Sequence, residues 1–474
     1  MSKTITIDPV TRLEGHGKVT IQLDEHGEVA DAHFHVTQVR GFEKFAEGRP
    51  FYEMPSLMAR ICGICPVSHL IASAKACEAI MSVDIPHTAA QLRRMLNLAQ
   101  MVQSHALSFF YLSSPDLLLG LDSDPANRHI FGVAQANPEL GRAGIGLRRF
   151  GQHIIELLGD KRIHPGWVIP GGVTEPLSST KRDEILGMIG EAYSNIKLGL
   201  NWYRQIADQF KDEIEIFANF PSLYMGLINE DESVEFTDGA LRLIDSRGRI
   251  LEDGITATRF TQIIGEAVEP YSYTKFAYYK PLGYPEGSYR VGPLARLNIA
   301  RSMGTPLADI ELKQFKQLAL GPVQSSFHYH YARIIDMLYG IEKIEQILTD
   351  PLILDKHVRA SAGVNRLEGA GQAEAPRGTL MHNYKVDENG LITWANLIIA
   401  TGQNNNAMNK GVAQAARHYI KGGQYTEGIL NRVEAVVRTF DPCLSCSTHA
   451  LGQMPLELQL INPAGEVVDV VRRG

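Results

Sequence analysis

The chain has 474 residues, 46 basic and 53 acidic side chains, a formal net charge of −7 and 44% apolar residues. That balance excludes the basic footprint of a nucleic-acid binder and a polybasic membrane patch, and the acidic residues are interspersed rather than gathered in a tail. The apolar content suffices for a large buried core.

The opening MSKTITIDPV has no apolar h-region and no small-residue cleavage site, so no signal peptide is expected. Residues 18–23 and 29–36 alternate in polarity around DEHG at 24–27 and predict a hairpin. Apolar patterning of helical period predicts helices at 67–82, 88–112, 138–159, 180–212, 322–349, 405–420 and 426–438. The longest stretch without Asp, Glu, Lys or Arg, 95–115, still holds Asn97, Gln100, Gln103, Ser104, His105, Ser108, Ser113 and Ser114. Polar groups at that density are costly in lipid, so the expectation is a buried core helix and no membrane span. From about 217 to 300 glycine, tyrosine and short alternating runs such as GALRLIDSRGRIL (239–251) predict a small β-containing excursion. HNYKVDENGLITWANLIIA (382–400) predicts a second hairpin turning at DENG. Repeats, low-complexity tracts and evident linkers are missing from the sequence. The expected fold class is mainly α with β embellishments (α+β), one large multi-helix body, in a cytoplasmic protein.

Five cysteines are present: two C-x-x-C pairs and the solitary Cys77. An odd, sparse count without a signal peptide points away from a disulfide framework and toward metal or redox chemistry. The first pair, Cys62 and Cys65, sits in RICGICPVSH (60–69), with Gly63 suited to turning the chain between them. The second, Cys443 and Cys446, sits in DPCLSCSTH (441–449). Two such pairs give four thiolates, strong evidence for a metal site. Spacing alone leaves the metal open. A structural zinc clasp joining the chain ends, an iron–sulfur cluster and a nickel site all accept thiolates, although zinc ribbons place their pairs within some tens of residues.

The flanking segments narrow the reading. VTRLEGHG (10–17), RGFEKFAEGR (40–49), RICGICPVSH, EAPRG (374–378) and DPCLSCSTH, in that order, resemble the large subunit of nickel–iron hydrogenases. FHVTQVRGFEKFAEGRPF, QSHALSFFYLSSPD, YRVGPLARLN and ATGQNNNAMN resemble its bidirectional, NAD-reducing cytoplasmic type. The resemblance implies reversible heterolytic cleavage of dihydrogen. Cys62 and Cys443 would be terminal nickel ligands, and Cys65 and Cys446 would bridge nickel to an iron carrying carbon monoxide and cyanide. Heterolytic cleavage needs a Lewis acid and a nearby base. The resemblance makes Cys443 that base and Glu14 the first carboxylate of a proton relay; the alternative for Glu14 is a buried carboxylate paired with Arg12 or a backbone amide.

The same resemblance places Arg377 over the metals, beside Pro376 and close to Asp441, with an interior Arg377–Asp441 ion pair as the plainer reading. It sets the Thr401 hydroxyl against a cyanide, although Ala400 stands where many members have proline. His69 would orient a cysteine sulfur, or else be an ordinary helix-face histidine. Glu43, the carbonyl of Leu397 and His449 would hold magnesium. Residues 450–474 would be a maturation peptide, cut after His449 by a dedicated endopeptidase once nickel is in place, with maturation chaperones as further partners. The implied partners are diaphorase subunits binding flavin and NAD, together with an iron–sulfur small subunit. GRAGIG (141–146) lies inside a helical pattern, so no dinucleotide site is expected in this chain. Two alternatives stand: a deazaflavin-linked or sulfur-reducing hydrogenase large subunit, and a non-catalytic zinc-thiolate protein. Outside the motifs, Cys77 reads as an inert buried thiol. His33 with His35, and His328 with His330, read as solvated or interface-facing pairs with too few ligands for zinc.

Overall fold

The computed structural model describes residues 3–448, 456–464 and 466–473. Long helices form at Pro66–Met81, His87–Ala106, Pro138–Gly159, Ser179–Ala207, Tyr329–Thr349, Ala400–Tyr419 and Glu427–Phe440, matching the seven expected. The helices His87–Ala106, Pro138–Gly159, Ser179–Ala207 and Tyr329–Thr349 pack on one another as the helical centre of the molecule. The uncharged stretch at 95–115 lies in this centre, and Met95, Leu98, Met101, Ser104 and His105 are fully buried. Its helix does not continue as a regular α-helix. Leu107–Ser113 widens into a π-helical segment, a rare geometry that inserts one residue into the turn.

The β elements are small. Lys3–Ile7, Gly17–Leu23 and Val29–Val36 form an antiparallel meander, and the loop joining its first two strands carries Glu14. Leu223–Ile228, Ala240–Ile244 and Ile250–Ile255 form an antiparallel ladder, with Tyr289–Arg290 added in parallel at its edge. This region also contains the helix Ala257–Ile263.

The expected hairpin at 382–400 is the second half of a three-stranded sheet, Glu368–Ala375, Gly378–Val386 and Ile392–Ile398. Its first strand, EGAGQAEA, has no alternating apolar signal because it lies directly against the Pro66–Met81 helix. A Cβ at Gly369 would come within 2.2 Å of the Ala76 carbonyl, and one at Gly371 within 2.1 Å of the Ala72 carbonyl. Only glycine permits that approach, so the composition that hides the strand is what docks it.

The helix expected from 322 begins only at Tyr329, after a short turn capped by Ser325. His328 and His330 are buried there, not solvated or interface-facing as their spacing suggested. The His330 ring packs on Phe109 and Phe327. Burial depresses both imidazoles, His328 to about 4 and His330 to about 3, so both are neutral near pH 7. Cys77 is buried and its thiol donates to the Phe51 carbonyl at 3.1 Å, as an inert core thiol should.

Candidate metal centre

Each cysteine pair sits where a helix begins. Cys62 ends a short turn, Ala59–Ile61, and Cys65 is the N-terminal flank of the Pro66–Met81 helix, with Pro66 in its first turn. Cys443 flanks the one-turn helix Leu444–Ser447, which contains Cys446. The fold brings the pairs together across a separation of 381 residues, sulfur against sulfur: Cys62 to Cys443 at 3.3 Å and Cys65 to Cys446 at 3.4 Å. Cys443 and Cys446 are 2.8 Å apart, too far for a disulfide bond, and all four are free and buried. The four sulfurs lie within 4.8 Å of one another, the one such group of potential metal ligands among the described residues.

The electrostatics of this cluster fit a cation. Hydrogen bonds from its neighbours, Cys443 first, pull the Cys62 thiol well below its ordinary range. Burial pushes Cys443 and Cys446 well above it. Without a cation the site therefore favours a lone thiolate. A bound soft metal ion reverses the balance, because coordination deprotonates a thiol outright.

Glu14 reaches the cluster from the N-terminal loop. Its backbone bridges to Cys443, with the Leu444 amide donating to the Glu14 carbonyl at 3.1 Å. Its Oε2 accepts from the Cys443 thiol at 3.0 Å and from the Ser445 amide at 3.0 Å. The Arg12 pairing considered for Glu14 is not formed: Arg12 turns instead to Asp116 and the Leu112 carbonyl.

Pro376 and Arg377 are the two turn residues between Glu368–Ala375 and Gly378–Val386. The turn is fixed by close packing: Gly378 has φ +134°, and a Cβ there would lie 2.3 Å from Val291 Cγ2 and 2.6 Å from the Gly292 nitrogen. Arg377 is buried, and its Nε donates to the Asp441 carbonyl at 2.7 Å while Nη2 meets Asp441 Oδ1 at 3.0 Å. Burial opposes its charge, but Asp441 and the thiolates outweigh that and raise its affinity for the proton well above normal. Its third contact, Nη1 to Ser104 Oγ at 3.2 Å, involves a residue to which the sequence alone assigns no role at the site. The available signal was Asn97, Gln100 and Ser104, polar residues three and four apart on the uncharged part of the helix. Gln100 takes the Val67 amide at 2.6 Å and Gln103 donates to the Ile64 carbonyl at 2.8 Å, so this helix braces the first cysteine loop.

Thr401, in the first turn of Ala400–Tyr419, accepts the Cys443 amide at 2.9 Å and keeps its own proton to donate. The Nδ1 of His69 is 3.1 Å from His382 Nε2, and His382 Nδ1 is 2.6 Å from the Tyr384 hydroxyl. Glu43 Oε1 accepts from Lys275 Nζ at 2.9 Å and from the Leu397 amide at 2.7 Å; Lys275 also meets Glu266 at 3.1 Å. His449 lies outside the described residues. His33 stacks on Tyr271, and His35 lies 2.7 Å from the Thr20 hydroxyl and 2.8 Å from the Tyr271 carbonyl.

The nickel-dependent hydrogenase family profile matches residues 40–127 and 228–449, and a HoxL-like profile matches 4–39. The chain belongs to the nickel-dependent hydrogenases. It is similar to the NAD-reducing hydrogenase HoxS subunit beta of Cupriavidus necator, with 41% identity covering 99% of each chain. It is also similar to a chain of the F420-non-reducing hydrogenase vhc of Methanococcus voltae, 41% identical over 96% of this chain and 97% of that one. Among solved structures, an NAD+-reducing [NiFe]-hydrogenase in the H2-reduced state superposes with TM-score 0.92 and 43% identity, covering 94% of this chain and 99% of that chain.

This hydrogenase large subunit is an oxidoreductase acting on dihydrogen, and its four-cysteine site is the seat of nickel and iron. The zinc-clasp alternative fails on the family match. No helix among the described residues is long and apolar enough to cross a membrane.

Proposed function

We propose that Cys62 and Cys443 hold nickel terminally, that Cys65 and Cys446 bridge it to iron, and that Cys443 and Glu14 move the proton released from dihydrogen. The observation that carries this reading is the 3.0 Å contact between Cys443 Sγ and Glu14 Oε2. When bound, the metal pair supplies the Lewis acidity that polarises dihydrogen. The Cys443 sulfur receives the proton, and the Glu14 carboxylate accepts it across that contact. The Ser445 amide fixes the accepting oxygen in place. Arg377, locked by Asp441 and Ser104, presents a permanent positive charge at the rim of the cluster, suited to cyanide on iron. Pro376 shares that turn, and Thr401 has a hydroxyl proton for a second cyanide. His69 orients a cysteine sulfur.

Glu43 and Glu266 lie side by side against Lys275, and Glu43 also meets the Leu397 backbone. Oxygen donors gathered in this way support magnesium at Glu43, with the Leu397 carbonyl and His449 as further ligands. The body spans 1–449, and an endopeptidase assisted by chaperones removes 450–474 after nickel insertion. Similarity to a subunit of the Cupriavidus necator NAD-reducing hydrogenase supports NAD as the electron acceptor, and we read the partners as an iron–sulfur small subunit and flavin-binding diaphorase subunits in a cytoplasmic complex. The Methanococcus voltae relative favours a second reading, a different electron acceptor behind the same metals.

Metal analysis and infrared spectroscopy of the purified complex test the proposal. Equal nickel and iron, carbon monoxide and cyanide bands, and hydrogen-dependent NAD reduction are expected; zinc alone would sink it. Full hydrogen-dependent activity without NAD reduction would favour the second reading.

A further inference from the structure

Beneath the Arg377–Asp441 pair lies a set of buried polar atoms that the proposed proton relay does not use. Neither Asp441 Oδ2 nor the Ser108 hydroxyl is in good hydrogen-bonding geometry, although Ser108 lies close enough to draw the Asp441 carboxyl down against the effect of burial. Arg333 is fully buried and spends a single N–H on protein, Nη2 to the Thr439 carbonyl at 2.6 Å; its Nε and Nη1 are unpartnered. Burial lowers the Arg333 guanidinium to about 10, with Asp441 and Asp336 opposing the shift, so it stays charged near pH 7. Asp336 binds Arg296 through Oδ2 but leaves Oδ1 unpartnered. His105 Nε2 lies 3.3 Å from Asp336 Oδ2, a contact that draws the carboxyl down although its geometry is poor for a hydrogen bond, and Nδ1 is unpartnered. Further along, His330 Nδ1 and the Ser113 hydroxyl are in the same condition. Both line a small cavity with Asp116 and Arg438, of ≈ 10 Å³, about the space one water needs.

Native interiors rarely leave so many polar atoms bare, and where they do, bound water is the usual partner. Two of the hydroxyls, Ser108 and Ser113, belong to the π-helical segment Leu107–Ser113, a distortion that recurs at functional sites. Beyond the cavity, Asp116 binds Arg12 at 2.5 Å and Arg438 at 2.8 Å, and Arg438 donates to the carbonyl of the exposed Thr11 at 3.0 Å. The fixed charges balance: Arg296, Arg333 and Arg377 face Asp336, Glu374 and Asp441. Burial holds His105 neutral, pushed down to about 4.

We propose that these groups bind a chain of water running from the Arg377–Asp441 pair past the π-helical segment to Asp116, and that it is a second proton path beside Glu14. The charged side chains hold the water and stay charged. Protons pass between water molecules and the Ser108 and Ser113 hydroxyls. The idea rests on the proposed dihydrogen chemistry, but its first test does not. A high-resolution structure of the purified complex should show ordered water on Arg333 Nε and Nη1, Asp336 Oδ1 and Asp441 Oδ2. Density in which these atoms pair with one another, with no solvent between them, overturns the proposal whether or not the enzyme turns over. The second test places Ser108→Ala on a Glu14→Gln background, where the residual deuterium–proton exchange must use another route. Exchange about tenfold below that of Glu14→Gln alone is expected, with unchanged infrared bands. An equal rate in a folded, metal-loaded double variant overturns the conducting role. If that variant fails to fold, the solvent structure of the unaltered enzyme still decides.

Discussion

Glu14 Oε2 accepts two hydrogen bonds at 3.0 Å, one from the Cys443 thiol and one from the Ser445 amide. The amide fixes the carboxylate in the position from which it can take a proton from sulfur. In the proposed relay, structural anchoring and proton transfer fall on the same oxygen, and a substitution can separate them.

Glu14→Gln does so. The carboxamide oxygen keeps the Ser445 amide but cannot relay a proton at neutral pH. Nickel and iron content should be unchanged while deuterium–proton exchange falls by about 10²–10⁴-fold. Metal analysis and mass-spectrometric exchange assays check this. Unchanged exchange removes Glu14 from the relay.

Arg377→Lys tests the guanidinium fork. A single ammonium cannot reproduce three directed contacts, to the Asp441 carbonyl, the Asp441 carboxylate and Ser104. The metals should stay bound while turnover falls by about 10²-fold, as when a preorganised donor is lost from an active site. Steady-state kinetics with infrared spectroscopy of the same sample decide it, and normal turnover refutes an essential guanidinium.

Acid should destabilise the chain through its buried histidines. The folded-state values of His105 and His328, about 4, and of His330, about 3, lie below the unfolded value of about 6.5. The unfolded chain therefore binds more protons, and the stability these neutral imidazoles contribute is present in full above pH 6.5 and lost as pH falls toward 4. Each costs up to about 1.4 kcal/mol per pH unit in that window. His328→Leu should lower proton uptake on unfolding at pH 5 by about one proton, measurable by comparing denaturation midpoints across pH. An unchanged slope would falsify this assignment.

Processing is checked by intact mass. Active enzyme should end at His449, lacking 450–474. A chain in active enzyme that still ends at Gly474 contradicts removal of the tail.

The metal site was more legible in the sequence than its surroundings. Cys62, Cys65, Cys443 and Cys446 announce themselves because ligation demands that residue type at that spacing. Glu14 and Arg377 were readable through their flanking motifs. How Arg377 is held was not, because Glu368–Ala375 packs by its glycines and gives no apolar alternation. Ser104 was hidden for a related reason: a serine on a core helix gains meaning only from the guanidinium that the fold delivers to it. His328 and His330 misled because sequence spacing does not reveal burial, which depended on Phe109 and Phe327 arriving from elsewhere in the chain. The helix boundaries near 322 and 405 shifted because Ser325 and the Cys443–Thr401 contact act across distant segments.

The separation of 381 positions between Cys62 and Cys443 sets a timetable for assembly. A nascent chain displays its first two sulfurs early and its last two only at the end of synthesis. Until Cys446 has left the ribosome there is half a nest, without Glu14's contact on Cys443 or the Asp441 anchor for Arg377. Metal delivered before that moment would meet two thiols in place of four. The topology thus gives the cell a check on completeness, since a chain truncated anywhere before Cys446 cannot close around the metals.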